Sequence, residues 1–159
     1  MQISFYNFKK GFSLLELIVA LFIVSLVLAV VFPSFAVFGE NRLKAEAREI
    51  ASILRYMNDS ASSRKETFVI KFDLDKNKVF WKGPEGEKTK GFEDLTGVTT
   101  QANGMVNKGE LTVFFDPLGI KENLSVHMSR EKKNVTITLN HLSGKVKINY
   151  EGLKGFHPS

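Results

Sequence analysis

Lys9-Lys10-Gly11-Phe12-Ser13-Leu14-Leu15-Glu16 runs without a break into an apolar stretch from Leu17 to Phe32. As a helix, Phe12 to Phe32 would be roughly 31 Å long at ~1.5 Å per residue, which matches a hydrocarbon core of about 30 Å. The length predicts one membrane crossing. The one ionisable side chain inside that span is Glu16. An acidic residue at the centre of a membrane helix costs about 2.5–3.5 kcal/mol, and less near an end. Such a group reads as functional and needs a partner. No cation lies among residues 12–32. A cut between Gly11 and Phe12 would create one, because the freed α-amine has a reference pKa of roughly 7.7–8.0. It would lie four residues from Glu16.

These residues resemble the signature of type IV pilins and of the pseudopilins of bacterial type II secretion. The resemblance implies that a prepilin peptidase cuts after Gly11 and methylates the new N-terminal Phe12. It makes Glu16 the fifth residue of the mature chain and the group that sets register in assembly. Pro33 then falls where such pilins often carry a helix-bending proline. Two other readings fit less well. A secretory signal has an apolar core of about 7–15 residues and a small-x-small cleavage site; this core is longer and contains Glu16, and Ser34-Phe35-Ala36 is a poor site. An ordinary uncleaved anchor has the same hydropathy but leaves Glu16 and the Gly-Phe junction unexplained.

Charge sets the expected orientation. Lys9 and Lys10 precede the span, and no acidic residue occurs in the first eleven. The N-terminus is therefore expected in the cytoplasm, with everything after Pro33 in the periplasm or outside. The localisation expected is the bacterial inner membrane, single-pass, with incorporation into a periplasmic pseudopilus or a pilus. The chain has 159 residues and no cysteine, so disulfide and thiol chemistry are excluded. The part beyond the span is long enough for one domain with its own core. Net charge is +5, but the leader holds two of the lysines and the rest are scattered. That spread fits a solvated surface better than a nucleic-acid footprint. Lys132, Lys133, Lys145, Lys147 and Lys154 are the candidates for a basic face, and nucleic acid is not an expected partner.

From Leu43 the apolar positions Leu43, Ala47, Ile50, Leu54, Met57 and Ala61 alternate spacings of four and three, one stripe on a helix. The pattern spans too few heptads for a coiled-coil seam, and a sheet is the expected partner of that stripe. Pro33 removes one backbone donor and is expected to bend the long helix rather than end it. Ser60-Ala61-Ser62-Ser63 marks a fraying end. After Arg64 the period changes to two. In Thr67–Leu74 the residues Phe68, Ile70, Phe72 and Leu74 share a face, and Asp75-Lys76-Asn77 turns into Lys78–Lys82 as a hairpin. Leu111–Phe115, Leu124–Met128, Val135–Leu139 and Lys145–Tyr150 are further strands, with turn chemistry at 116–119 and 141–144. The expected fold class is α+β: a long N-terminal helix, half membrane and half amphipathic, packed on antiparallel sheet.

The expected organisation is a leader at 1–11, a transmembrane and assembly helix at 12–32, an amphipathic helix at 33–64, and an antiparallel β domain at 65–159. Gly83 to Gly109 holds six of the twelve glycines. It reads as a Gly-rich loop, either a binding loop or a mobile insertion. Ala47-Arg48-Glu49-Ile50 with Leu54-Arg55, then Phe115-Asp116-Pro117-Leu118-Gly119 and Leu142-Ser143-Gly144-Lys145-Val146, resembles the H-type minor pseudopilin domain (the general secretion pathway protein H family). That domain is shared with type IV pilus minor pilins of the fimbrial T/U group. Tyr56-Met57-Asn58 departs from the small-and-basic pattern usual there.

Nothing points to catalysis. His127, His141 and His157 have no ligand-spaced partner, and there is no Gly-x-Ser-x-Gly elbow, phosphate-binding glycine loop or His-Glu-x-x-His. Asp73-x-Asp75-x-Asn77 starts like a calcium loop, but the motif needs Gly at Lys78 and Glu at Pro84. No catalytic residue, metal or cofactor is expected. The resemblance implies a minor pseudopilin of a type II protein secretion system, acting in export across the outer membrane. Its partners would be a prepilin peptidase, other major and minor pseudopilins met through the N-terminal helix, and the inner membrane. The alternative is a minor pilin of a type IV pilus, serving pilus assembly, motility or DNA uptake.

Overall fold

The computed structural model describes residues 13–151, and at 31–40 the backbone alone. The leader and Phe12 lie outside the described residues. A single helix, α1 (Leu14–Arg64), is followed by nine strands. The chain divides into two compact units at the Phe38–Gly39 junction.

In the first unit the helix begins at a side-chain cap. Ser13 Oγ accepts the Glu16 backbone N–H at 3.2 Å, satisfying one of the donors a helix start leaves without a partner. Side chains from Ser13 to Val30 are exposed, the large apolar ones running from 47% exposure at Leu28 to 79% at Leu14. Ser25 does not break the apolar character, since its hydroxyl donates to the Leu21 carbonyl at 2.8 Å. Among the described residues no helix is long and apolar enough to cross a membrane; the described apolar side chains of this stretch end at Val30.

In the second unit the helical stripe is core. Leu43, Ala47, Ile50, Leu54, Met57 and Ala61 are all buried, as the spacing predicts, and Ala51 and Ile53 widen the face. The helix runs past the serines to Arg64, where Lys65 takes a left-handed φ of 58° and stops it.

Two antiparallel sheets cover this face, their buried residues joining those of the helix in one cluster. The first has the order β3 (Gly86–Gly91), β2 (Lys78–Gly83), β1 (Phe68–Asp73), β6 (Glu110–Phe115). The second has the order β5 (Gly104–Val106), β4 (Leu95–Thr100), β7 (Leu124–Arg130), β8 (Lys133–Leu139), β9 (Val146–Glu151). Alternation puts Phe68, Ile70 and Phe72 of β1, and Val135, Ile137 and Leu139 of β8, on the buried side. Phe72, Phe92 and Phe115 are the largest fully buried side chains, each contributing about 1.5–3 kcal/mol of transfer free energy. The α+β class read from the sequence is the observed one.

Gly83 to Gly109 is not one loop. It carries β3, β4 and β5. Two physical features hid them. All six residues of β3 are exposed, so backbone pairing from Gly83↔Gly86 to Lys78↔Gly91 holds the strand with no apolar alternation to betray it. In β4 the register shifts between Leu95 and Gly97, and a bulge of this kind breaks the period of two.

Candidate assembly surfaces and the residues behind them

Glu16 is the predicted site residue that the structure describes fully. It sits in the first turn of α1, exposed, three residues after its capping partner Ser13. An acidic side chain there lies at the positive end of the helix dipole. Gly11 and Phe12 lie outside the described residues. Pro33 falls within α1 and does not end it; its side chain is not among those described.

The second unit holds its helix through polar contacts absent from the sequence reading. Arg130 Nε donates to both oxygens of Asp94, at 2.7 and 2.9 Å, and Asp94 is 5% exposed. The Asp94 N–H donates to Glu46 Oε2 at 3.3 Å, and the Asp94 carbonyl accepts from Ser129 N at 2.8 Å. Arg42 bridges Glu46 at 3.2 Å and Glu93 at 2.6 Å. Hydrogen bonding to the Arg42 guanidinium holds the Glu93 carboxyl below its ordinary range. Helix, the β3–β4 connection and the end of β7 are thus clamped by one charge network. Only proximity in the fold marks it, since its members lie at 42–46, 93–94 and 130.

Asn58, in the departing Tyr56-Met57-Asn58, faces both turn motifs. Gly119 (φ 97°) and Gly144 (φ 64°), the glycines of the two turn motifs, both stand against it. A Cβ on Gly144 would lie 2.9 Å from Asn58 Nδ2, and one on Gly83 would lie 3.0 Å from Tyr56 Cε1. Larger side chains on the helix are matched by absent ones on the turns. Gly144→Ala is expected to destabilise the fold by about 1–2 kcal/mol, from the left-handed φ alone. Thermal melting of the variant, with and without Asn58→Ala to relieve the contact, separates the backbone part from the steric part.

The aspartates of the β1–β2 turn are occupied by the fold. Asp73 Oδ1 accepts the Lys76 N–H at 3.0 Å, and Asp75 Oδ1 accepts the Gly109 N–H at 3.1 Å. Burial raises the Asp73 carboxyl, but hydrogen bonds from the Lys76 N–H and ammonium outweigh it and hold it below its ordinary value. Among the described residues no group of His, Cys, Asp or Glu could hold a metal ion. Two of the basic candidates lie apart along the second sheet: Lys133 pairs with Arg130 at one end of β8, whereas Lys147 pairs with Thr138 near the other; Lys154 is outside the described residues.

His127 and His141 are held by neutral partners, and His157 lies outside the described residues. His141 Nδ1 is 2.9 Å from Asn123 Oδ1. His127 contacts Thr99 Oγ1 through Nε2 at 2.8 Å and Thr136 Oγ1 through Nδ1 at 3.3 Å. Burial lowers its pKa, with Glu151 opposing. The native state therefore resists protonation that the unfolded chain accepts. Its contribution is fully present above about pH 6.5 and is lost as pH falls through the native pKa. Denaturant unfolding between pH 7.5 and 5 should show stability falling with pH, and His127→Gln should flatten that part of the curve.

Residues 6–32 match the family model described as the prokaryotic N-terminal methylation motif. The chain carries this motif at its N-terminus. No curated protein matches the sequence. Among solved structures, the type IV minor pilin FimU of Pseudomonas aeruginosa strain PAO1 aligns with a TM-score of 0.48 and 13% identity, over 69% of this chain and 90% of that one. A likeness of that degree transfers neither function nor partner. The motif covers Gly11, Phe12 and Glu16, and it reaches across the exposed apolar side chains of α1 up to Val30.

Proposed function

We propose that this pilin-like chain is a minor pseudopilin, a structural subunit of the periplasmic pseudopilus of a type II secretion system. The observation that carries the reading is the methylation motif over residues 6–32 joined to a stretch of α1 whose large apolar side chains, Leu14 to Val30, are exposed. The apolar segment 12–32 anchors the precursor in the inner membrane with the globular unit on the periplasmic side. A prepilin peptidase cuts after Gly11 and methylates Phe12, leaving the new amine charged. On extraction, helices of neighbouring subunits bury one another's apolar faces, Pro33 bending each helix into the bundle. Glu16 of one subunit then neutralises the Phe12 amine of the next. The domain motifs at 115–119 and 142–146 favour the H-type subgroup.

Mass spectrometry of the intact N-terminal peptide from native membranes tests the processing. A terminus at Phe12 with one added methyl is the expected result; a Met1 terminus in functional protein would return the chain to the ordinary membrane anchors. A deletion strain tests the machine. Lost exoprotein release is expected, whereas lost pili or transformation with secretion intact would move the subunit to a type IV pilus.

A further inference from the structure

Of the chain's ten asparagines, Asn103 alone is followed by glycine, and no aspartate is. Asn103 closes the turn after β4, and Gly104 opens β5. Gln101, Ala102, Asn103 and Gly104 are all exposed. Gly104 takes a φ of 65°, and a Cβ built on it would meet nothing within 4 Å. Asparagine is among the thermolabile residues. Its lability depends on how closely the next backbone nitrogen approaches its side-chain carbonyl carbon. A side chain on the following residue crowds that approach, and strand pairing or a fully bonded amide hinders it. Asn134 and Asn149 lie in paired strands, before Val135 and Tyr150. Asn140 Oδ1 accepts three hydrogen bonds, from Leu142 N, Ser143 N and Ser143 Oγ. At Asn103 an exposed tip and a following glycine coincide.

We infer that Asn103 is a site of spontaneous covalent modification, in which the chain's own Gly104 nitrogen displaces the side-chain amide and water completes the exchange. On losing its proton, the Gly104 backbone nitrogen attacks Asn103 Cγ. The new N–C bond forms, the Cγ–Nδ2 bond breaks, and the amide takes up a proton and leaves as ammonia. One water molecule then opens the five-membered imide at either of its carbonyls. Opening at the side-chain carbonyl leaves an aspartate. Opening at the main-chain carbonyl leaves an iso-aspartate, in which the backbone runs through the side-chain carbon. Nothing is oxidised or reduced. Glycine favours ring closure because it has no Cβ to crowd it.

The fold sets both the pace and the consequence. Thr100 is 3% exposed, and its Oγ1 accepts the Asn103 N–H at 3.2 Å and Asn103 Nδ2 at 3.3 Å. That tie restrains the amide that has to swing onto Gly104, so Thr100 acts as a brake. Either product carries a carboxylate, ionised above a reference pKa of ~3.9, on a groove that Glu122 also lines. Glu122 Oε2 accepts the Ala102 N–H at 2.6 Å, and a second negative charge one residue along weakens that hold. Iso-aspartate also lengthens the backbone beside the Thr100↔Gly104 pair. β5 has three residues and pairs with β4 alone, so a few ladder positions hold it in place. Conversion therefore releases β5 and uncovers Gly97, where a Cβ would lie 3.0 Å from the Val106 carbonyl oxygen. The turn is an ageing device, docked in a new chain and open in an old one. It lies wholly in the second unit and does not rest on the pseudopilin reading.

The test incubates the purified full chain in detergent micelles at physiological temperature, at neutral and at mildly alkaline pH, and follows its tryptic peptides by mass spectrometry. One peptide, from Gly91 to Lys108, carries both Asn103 and Asn107. The expected result is progressive exchange of amide for acid at Asn103, faster at the higher pH, with iso-aspartate as the larger product and Asn107 unchanged. Hydrogen exchange should show residues 104–106 losing protection in step with conversion. Asn103→Gln should neither convert nor lose that protection, because its longer side chain has to close a larger ring. Thr100→Val should convert several-fold faster than the wild type. Equal exchange at Asn107, or acid formed without iso-aspartate, would overturn the assignment. So would a native chain that stays unchanged while the guanidinium-unfolded chain converts. Protection at 104–106 that survives conversion would overturn the release of β5, and wild-type conversion by a folded Thr100→Val chain would remove the brake. The N-terminal mass of the same digest reports processing separately, so failure of this site and failure of the pseudopilin reading are distinguishable.

Discussion

Glu16→Leu is expected to give a chain that is cut, methylated and inserted normally, and that then fails to enter filaments. Among the described residues no hydrogen bond or ion pair uses the Glu16 carboxylate. The cap uses its backbone N–H and not its side chain, and leucine is as good a helix former. In a lipid-facing helix the substitution even removes an insertion cost. On the proposed assembly, what is lost is the partner of the Phe12 amine in a neighbouring subunit. Stranding one charge of a buried pair costs about 3–5 kcal/mol, which at each contact along a filament is enough to exclude the variant. Fractionation and immunoblotting of sheared filaments, with N-terminal mass on the membrane pool, measure both halves. Incorporation at the wild-type level would remove the register role from Glu16. Substituting Gly11 with a bulky residue should act one step earlier and leave uncut precursor; mature-length product from that variant would refute the cleavage site.

Arg130→Met is expected to lower the stability of the globular unit by about 3 kcal/mol, the low end for breaking a buried ion pair, because one side of Arg130 stays wet. Its side chain is 26% exposed against 6% for Asp94. Methionine keeps the apolar stem but leaves the Asp94 carboxylate buried without the two-oxygen contact it now has. Folding stabilities run at about 5–15 kcal/mol, so the loss is a large fraction, and the melting temperature should fall by roughly 10 °C. Lys76→Met is the informative contrast. Asp73 is equally buried, but it retains the backbone N–H of residue 76, so the drop should be smaller. Circular-dichroism melting of both variants decides the order. An Arg130→Met protein that melts with the wild type would mean that Asp94 draws no support from this pair.

Much of the fold was legible because its signals are periodic and local. The stripe from Leu43 to Ala61 fixed which helical face is core, and the alternation in Phe68–Leu74 fixed the inward side of β1. The expected hairpin at Asp75-Lys76-Asn77 forms, with Asn77 at a φ of 52°. The segment from Gly83 to Gly109 was misread because β3 buries nothing and β4 is bulged, so neither has the alternation that identifies a strand. The candidate site divides in the same way. Gly11, Phe12, Glu16 and Pro33 are contiguous chemistry at fixed spacing, visible without any fold. The Arg130–Asp94–Glu46 clamp joins positions tens of residues apart.

By itself, then, the sequence determined the N-terminal methylation motif and the helical core face, because both are set by neighbours along one stretch of backbone. It also determined the α+β class, through the change of period after Arg64. Only the tertiary structure decided the pairing order of the nine described strands, the contact of two turn glycines with Asn58, and the charge network that ties the helix to Asp94 and Arg130. Those depend on which segments meet through space, and meeting is governed by long-range packing and backbone pairing that no local pattern encodes.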